Sequence, residues 1–335
     1  MKNIFRYGVL AFAATVMLSA CSWDDPEPVD LRYDNISGAN PDQYQKYLAN
    51  LRAYRSNGHK KVYAWFENRS SFVSQADHVA TVPDSIDVLV LTRPELMTQA
   101  TLDEINTKRS QTGMQTAYMV DYAAIRKAWE LKKELETPAA PVAEWSAFMA
   151  DSLKTAMGYF DAGGYDRLIC AYDGTALSEA LPEAEKSARA AEQKAFVGAF
   201  AEWKNNNIDK GFDFVGIPAN IVDMSLLDAA GTVFLSETAS ATGVDELTFI
   251  VSRNSVAGAP VDRFAVIAQL PVLDETKASL GYWGSDYSSW LTARWASANK
   301  VAAIGLYNLY DGYFNPSFIY PAARGAIQIL NPAAK

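Results

Sequence analysis

Only two histidines and two cysteines occur in the 335 residues of this chain. Two imidazoles leave little for a His-rich metal site or for a Ser-His-Asp triad. Neither His59 nor His78 has a second ligand nearby at metal-binding spacing, and both read as surface residues. Basic charge is also in deficit: 30 Lys and Arg stand against 39 Asp and Glu, a formal net charge of −9. Sequence-independent nucleic-acid binding needs the opposite sign, so no nucleic-acid partner is expected. The chain has no Gly-x-Ser-x-Gly elbow and no P-loop, and no Gly-x-Gly-x-x-Gly follows its first expected strand. The acidic stretch Asp24–Asp30 is too short and too broken by proline for a Ca²⁺ loop. No cofactor and no metal are expected. Aromatic rings are abundant, with 17 Tyr, 15 Phe and 8 Trp. Hydrophobic residues make up 49% and charged residues 21%, which favours a large buried core over disorder.

The N-terminus reads as an address. Lys2 and Arg6 precede an almost unbroken apolar run from Tyr7 to Leu18. That run is too short for a spanning helix, which needs about 20 residues, but it suits the core of a secretory signal. It ends in Leu18-Ser19-Ala20-Cys21, which resembles the bacterial lipobox. The likeness implies lipidation of Cys21 as the first residue of the mature chain; an ordinary signal with a chance cysteine is the alternative. Asp24, Asp25 and Glu27 follow closely and resemble the export signal of surface lipoproteins in the Bacteroidetes. They also fit a solvated tether stiffened by Pro26 and Pro28. The expected organisation is a signal peptide over 1–20, a tether over 21–39, and one domain over 40–335. The expected location is the outer membrane, lipid-anchored and exposed at the cell surface. If Cys21 carries lipid, Cys170 is left alone, in an apolar strand where buried filler is the expected role.

The body alternates strand and helix. Asn40-Pro41 caps and starts a helix that Gly58 can end. Strands are expected at 61–66, 86–92, 115–120, 167–172, 212–217, 232–236, 263–270 and 301–309. Helices are expected at 98–113, 142–160, 181–207, 247–251, 288–299 and 316–330. Strands separated by helices pair in parallel and are buried on both faces, which accounts for their apolar character. Eight of them predict a single (β/α)8 barrel rather than an open sheet.

Such a barrel carries its functional side chains at the C-terminal strand ends. There stand Trp65 and Glu67, Tyr122, Tyr172 and Asp173, Asn220, Glu237, Gln269 with Trp283, and Asn308 with Tyr310. Rings stack on sugar C–H surfaces, while amides and carboxylates match hydroxyl pairs. The set fits a polar, neutral ligand such as a glycan better than a phosphate or an acyl group.

The order of elements, the tail Ala326-Ile327-Gln328-Ile329-Leu330-Asn331-Pro332-Ala333 and the lipobox resemble a Bacteroides branch of family 18 glycoside hydrolases. That family includes chitinases and endo-β-N-acetylglucosaminidases, and the likeness covers most of residues 58–335. Its signature, Asp-x-x-Asp-x-Asp-x-Glu on the fourth strand, falls on Tyr165 to Gly174. Asp166 matches the first Asp, but Ile169 and Ala171 stand at the next two, and Asp173 stands where the catalytic Glu belongs. Residues 169, 171 and 173 share one strand face and should point into the barrel mouth. The resemblance implies that the Glu protonates the leaving oxygen and that the preceding Asp orients the substrate's own N-acetyl nucleophile. Ala171 can do neither. Asp173 is one methylene short, a displacement of about 1 Å that can cost about 10²-fold. Losing the partner charge adds a further penalty.

The expected function is that of a glycan-binding surface lipoprotein without efficient catalysis. Its partners would be an N-glycan or other GlcNAc-containing oligosaccharide and an outer-membrane glycan importer. An active endo-β-N-acetylglucosaminidase with Asp173 as general acid is one alternative. A structural or partner-binding lipoprotein is another.

Overall fold

The computed structural model describes residues 40–138, 140–178 and 180–332. The expected signal peptide, the tether and Cys21 lie outside the described residues. The chain divides into two units, Met1–Ala49 and Asn50–Lys335.

In the first unit, the described residues form the opening turns of helix α1 (Pro41–Ser56). The Asn40 side chain accepts the Gln43 N–H at 3.1 Å, as the sequence predicts for this cap.

The second unit is a closed barrel. Its elements are β1 (Lys61–Phe66), β2 (Val88–Leu91), α2 (Gln99–Thr112), β3 (Gln115–Asp121), α3 (Tyr122–Glu134), α4 (Trp145–Ala162) and β4 (Arg167–Tyr172). They continue with α5 (Glu183–Asn206), β5 (Gly211–Gly216), β6 (Val233–Leu235), α6 (Val244–Asn254) and β7 (Phe264–Gln269). A short hairpin, β8 (Tyr282–Trp283) and β9 (Asp286–Tyr287), precedes α7 (Ser288–Ala298), β10 (Ala303–Tyr307) and α8 (Pro321–Leu330). The eight long strands close in the order β1-β10-β7-β6-β5-β4-β3-β2, every pair parallel. This is the (β/α)8 barrel that the strand count predicts.

Strand parity sorts the side chains. Tyr63, Trp65, Val90, Ile169, Val215 and Phe234 belong to an apolar cluster filling the bore. Their neighbours Val62, Phe66, Leu89, Cys170 and Phe214 belong to the cluster packed under the helices. Both faces being buried, the strands need no polar alternation. Cys170 is fully buried and its thiol pKa is pushed well up by desolvation, which suits filler.

An ion pair joins the neighbouring strands β4 and β5 near their N-terminal ends. Arg167 makes two hydrogen bonds to the fully buried Asp213, at 2.7 and 2.6 Å, and Tyr63 donates to the same carboxylate at 3.1 Å. The Arg–carboxylate fork satisfies the charge that burial would otherwise expel.

Most element boundaries fall within a few residues of expectation. Thr98 caps α2 by accepting the Thr101 N–H at 3.1 Å, and Gly113 ends it with φ 78°. Three segments differ, one of them the β8–β9 hairpin, which has no expected counterpart. Helix α3 has no expected counterpart; none of its residues is fully buried, and Tyr122 and Ile125 are half-buried where they pack on the core. The last helix begins at Pro321, not Pro316, after a 3-10 turn over Tyr310–Phe314. Tyr320 has φ 57° before Pro321, where proline disfavours the helical conformation. His59 is a further correction: its side chain is 7% exposed and its Nε2 lies 2.9 Å from Asp87 Oδ1.

Among the described residues, no helix is long and apolar enough to cross a membrane.

Candidate functional site

A cleft of about 790 Å³ opens at the C-terminal ends of β3, β4, β5 and β10. The last inward residues of these strands, Met119 with Asp121, Ala171 with Asp173, Val215, and Tyr307, form part of its lining. Ser236 after β6 joins them, and α3 and α5 add Tyr122, Arg126, Lys127, Glu130, Arg189 and Glu192. The cleft therefore mixes the apolar Met119, Ala171 and Val215 with Asp121, Asp173 and Ser236 at its strand ends, and it is polar along its helical wall.

Asp173 stands in it as the strand parity predicts. Its Oδ1 accepts the Ser236 hydroxyl at 2.5 Å, and its backbone carbonyl accepts Asn220 Nδ2 at 2.8 Å. Two residues earlier, Ala171 is 8% exposed, and Ile169 is fully buried in the bore. No carboxylate occupies either position. Asp166 lies at the opposite end of the strand, accepting from Arg109 Nη2 at 2.9 Å and from the Thr116 backbone N–H at 2.9 Å. It ties β4 to β3 and α2, away from the mouth.

Asp121 and Tyr307 also line the cleft, two residues beyond those that the sequence predicts for it. Burial raises the Asp121 carboxyl pKa, opposed by N–H groups of Ala123 and Ala124, with the charge of Asp173 adding to the rise. Burial likewise raises the Tyr307 phenol, with the charges of Asp173 and Asp121 adding to it. Asp121 was visible at a strand end, but it also starts an unforeseen helix. Tyr307 was hidden because the eighth strand was expected to run on to residue 309.

The remaining selected residues are spread more widely. Tyr122 lines the cleft, donating to Glu192 Oε1 at 2.6 Å. Tyr172 also borders it, although its ring packs outward against Tyr122 and Phe196 at centroid distances of 4.8 and 6.0 Å. Trp65 is 5% exposed, its ring 4.5 Å from that of Tyr307, and its indole N–H is buried without a partner among the described residues. Asn220 is buried and holds the Asp173 carbonyl.

Glu67 pairs with Arg93 at 3.8 Å, and Glu237 pairs with Arg253 while accepting from Asn254. Gln269 and Trp283 line a separate cleft of about 340 Å³, where the Trp283 indole donates to the Ala241 carbonyl at 2.7 Å. Asn308 has φ 64° and donates to Pro271 O and Asp311 Oδ2. Tyr310 is buried and donates to Asp77 Oδ1 at 3.1 Å, with Arg69 over its ring. The 790 Å³ cleft thus gathers Tyr122, Tyr172 and Asp173, whereas the others lie elsewhere or serve internal bonds.

Among the described residues, no group of three or more His, Cys, Asp or Glu is arranged to hold a metal ion.

Comparison with known proteins places these features. The sequence model of glycoside hydrolase family 18, BT1044-like, matches residues 24–329. Among solved structures, a selenomethionine-labelled, glutamate-to-glutamine variant of BT1044 is 12% identical, with a TM-score of 0.60, covering 88% of this chain and 95% of that one. The endo-β-N-acetylglucosaminidase from Cordyceps militaris, in its apo form, is 13% identical with a TM-score of 0.60, covering 86% and 96%. At such identities the likeness is one of fold. No curated protein matches the sequence.

Proposed function

The chain belongs to glycoside hydrolase family 18, BT1044-like, and from that premise we propose that it binds a GlcNAc-containing glycan without hydrolysing it efficiently. The observation that carries this is the inward face of β4. Its three positions toward the mouth are Ile169, Ala171 and Asp173, so one carboxylate remains where the family resemblance implies three. That carboxylate is engaged by Ser236 and stands on a side chain shorter than glutamate. A proton donor displaced by about 1 Å can lose about 10²-fold. The absent neighbour charge removes the electrostatic support that usually dominates catalysis.

The cleft that remains suits an oligosaccharide in size and character. Met119, Ala171 and Val215 offer contact to ring C–H surfaces, and the helical wall offers paired charges and an amide to hydroxyls. With the lipobox-like Leu18–Cys21, this supports a lipid-anchored protein at the outer membrane surface that passes glycan to an importer.

The test uses the full chain in mild detergent, incubated with N-glycoproteins and chitooligosaccharides, with binding and product release both followed. Saturable binding without release is the expected result. Release that disappears in Asp173→Asn overturns it and makes the protein a hydrolase with Asp173 as the acid. Neither binding nor release would leave a structural or partner-binding lipoprotein.

A further inference from the structure

Helix α3 presents three faces. Tyr122 and Ile125 pack on the core, and Ala123, Arg126, Lys127 and Glu130 border the cleft. The third face consists of Ala124, Ala128, Leu131 and Leu135, spaced four, three and four apart, and all four are exposed. Leu131 is 51% and Leu135 80% exposed. Leu135 stands just past the last helical residue, and its φ of −95° and ψ of 4° carry the turn on. Single exposed leucines are ordinary, but this spacing is that of a two-heptad seam.

The charges of the helix supply a second observation. Arg126 pairs with Glu130 at 3.3 Å, Lys133 pairs with Glu136 at 3.2 Å, and Lys132 lies over the Phe148 ring at 4.9 Å. The two that remain, Lys127 and Glu134, are of opposite sign and have no ion-pair partner among the described residues. Seven residues separate them, so they stand along the same edge of the exposed stripe, about 10 Å apart on the helix axis. That is too far for a pair within one helix.

A second copy of the helix, running antiparallel across a two-fold axis near residues 129 and 130, answers both features. Leu131 then covers the partner's Ala128 and Leu135 covers the partner's Ala124, large against small. Lys127 comes beside the partner's Glu134, and the two-fold repeats every contact. A parallel pairing would set Leu on Leu and Ala on Ala, with Lys127 facing the partner's Lys132, like against like. The opposite signs along the edge cancel, so the face suits a copy of itself better than a surface of one charge.

We propose that α3 joins two copies of this chain in an antiparallel, two-fold dimer. Its seam is Ala124, Ala128, Leu131 and Leu135, and Lys127 and Glu134 of the two copies pair at its rim. Four seam residues a copy fall well short of the about 20–30 residues of a standard interface, so the dimer is weak and reversible. It does not rest on the glycan-binding function proposed above.

Sedimentation velocity of the full chain in density-matched mild detergent, over a wide range of protein concentration, tests the proposal. Wild type should pass from monomer to dimer as concentration rises. Leu131→Glu puts a charge into the seam and should weaken association about 10-fold or more. Lys127→Glu and Glu134→Lys should each weaken it about 3- to 10-fold, since each sets like charges together at two symmetric places. The double variant Lys127→Glu with Glu134→Lys restores opposite signs and should recover wild-type association. All three positions are exposed, so thermal midpoints should stay in place. Every variant shares the same detergent, so association through a common micelle would not tell them apart. A wild type that stays monomeric throughout, or a dimer indifferent to Leu131→Glu, overturns the proposal. A double variant no better than the single ones overturns the antiparallel pairing.

Discussion

Ser236 Oγ donates a 2.5 Å hydrogen bond to Asp173 Oδ1, joining the residue after β6 to the residue after β4 across the barrel mouth. Asn220 holds the Asp173 carbonyl from the loop after β5. Side chain and backbone of the one acid left from the expected motif are therefore both anchored, which orders it without supplying a second charge.

Ser236→Ala removes the side-chain anchor at a partly solvated site. A neutral hydroxyl bonded to a carboxylate contributes on the order of 1 kcal/mol, so the thermal midpoint should move little. Freed to sample other rotamers, Asp173 should hold the ligand less well, and chitooligosaccharide affinity should fall about 3- to 10-fold. Titration beside a melting curve checks this; a large loss of stability with unchanged affinity would assign the bond to folding instead.

The floor of the bore offers a stronger test of the fold. Asp213 is fully buried and receives Arg167 and Tyr63. Removing one member of a buried pair strands the other, at a cost of about 3–5 kcal/mol. Asp213→Leu should approach that loss in denaturant unfolding. Asp213→Leu combined with Arg167→Met should cost less than the two single changes added together, because neither charge is then left alone. Strict additivity would mean that the two residues act independently.

These residues also mark what the sequence could reveal. Strand order and the inward parity of 169, 171 and 173 were legible because strands buried on both faces leave continuous apolar runs, along which side chains alternate between the two faces. Helix α3 was not, since it begins at Tyr122 directly after β3, with no glycine or proline between them to mark a boundary. Its omission hid the meaning of Asp121, which belongs to a strand and a helix at once. Tyr310 and Trp65 read as rim aromatics from their positions near strand ends. Their 6% and 5% exposures depend on contacts with Asp77, Phe234 and Tyr307, distant in sequence and unreadable from one strand alone.

His59 gives the stability a pH dependence. Its Nε2 faces Asp87 Oδ1 at 2.9 Å and its Nδ1 faces the Asn57 carbonyl at 2.9 Å, so both ring nitrogens meet acceptors and the doubly protonated ring fits. The hydrogen bond to Asp87 raises the imidazole pKa above 6.5, against an opposing effect of burial. A raised folded pKa means that the contribution is fully present below the unfolded value near 6.5. It is lost as pH rises through the higher folded value. Unfolding free energy measured from slightly acidic to mildly alkaline pH should decline across that interval, and His59→Gln should flatten the decline. An identical slope in His59→Gln would assign it to other groups.

Gly216 couples the packing of the barrel to the cleft. It pairs in register with Tyr172, and a Cβ built on it would lie 2.0 Å from the Tyr172 carbonyl oxygen and 2.7 Å from the Phe214 ring. The first of these is backbone, so no rotamer change relieves the clash. Gly216→Ala must push the end of β4 away from β5, and the residue that follows Tyr172 is Asp173. Overpacking of this kind costs about 1–3 kcal/mol, and the displaced strand end should also weaken glycan binding. Gly243→Ala is the control, because nothing lies within 4 Å of its Cβ position and its φ of −177° suits any residue. Unfolding curves and titrations should therefore separate the two alanines, Gly216→Ala losing stability and affinity together and Gly243→Ala losing neither. If Gly216→Ala loses stability alone, the cleft is insulated from the β4–β5 contact, and Asp173 is held by Ser236 and Asn220 without help from the strand beneath it.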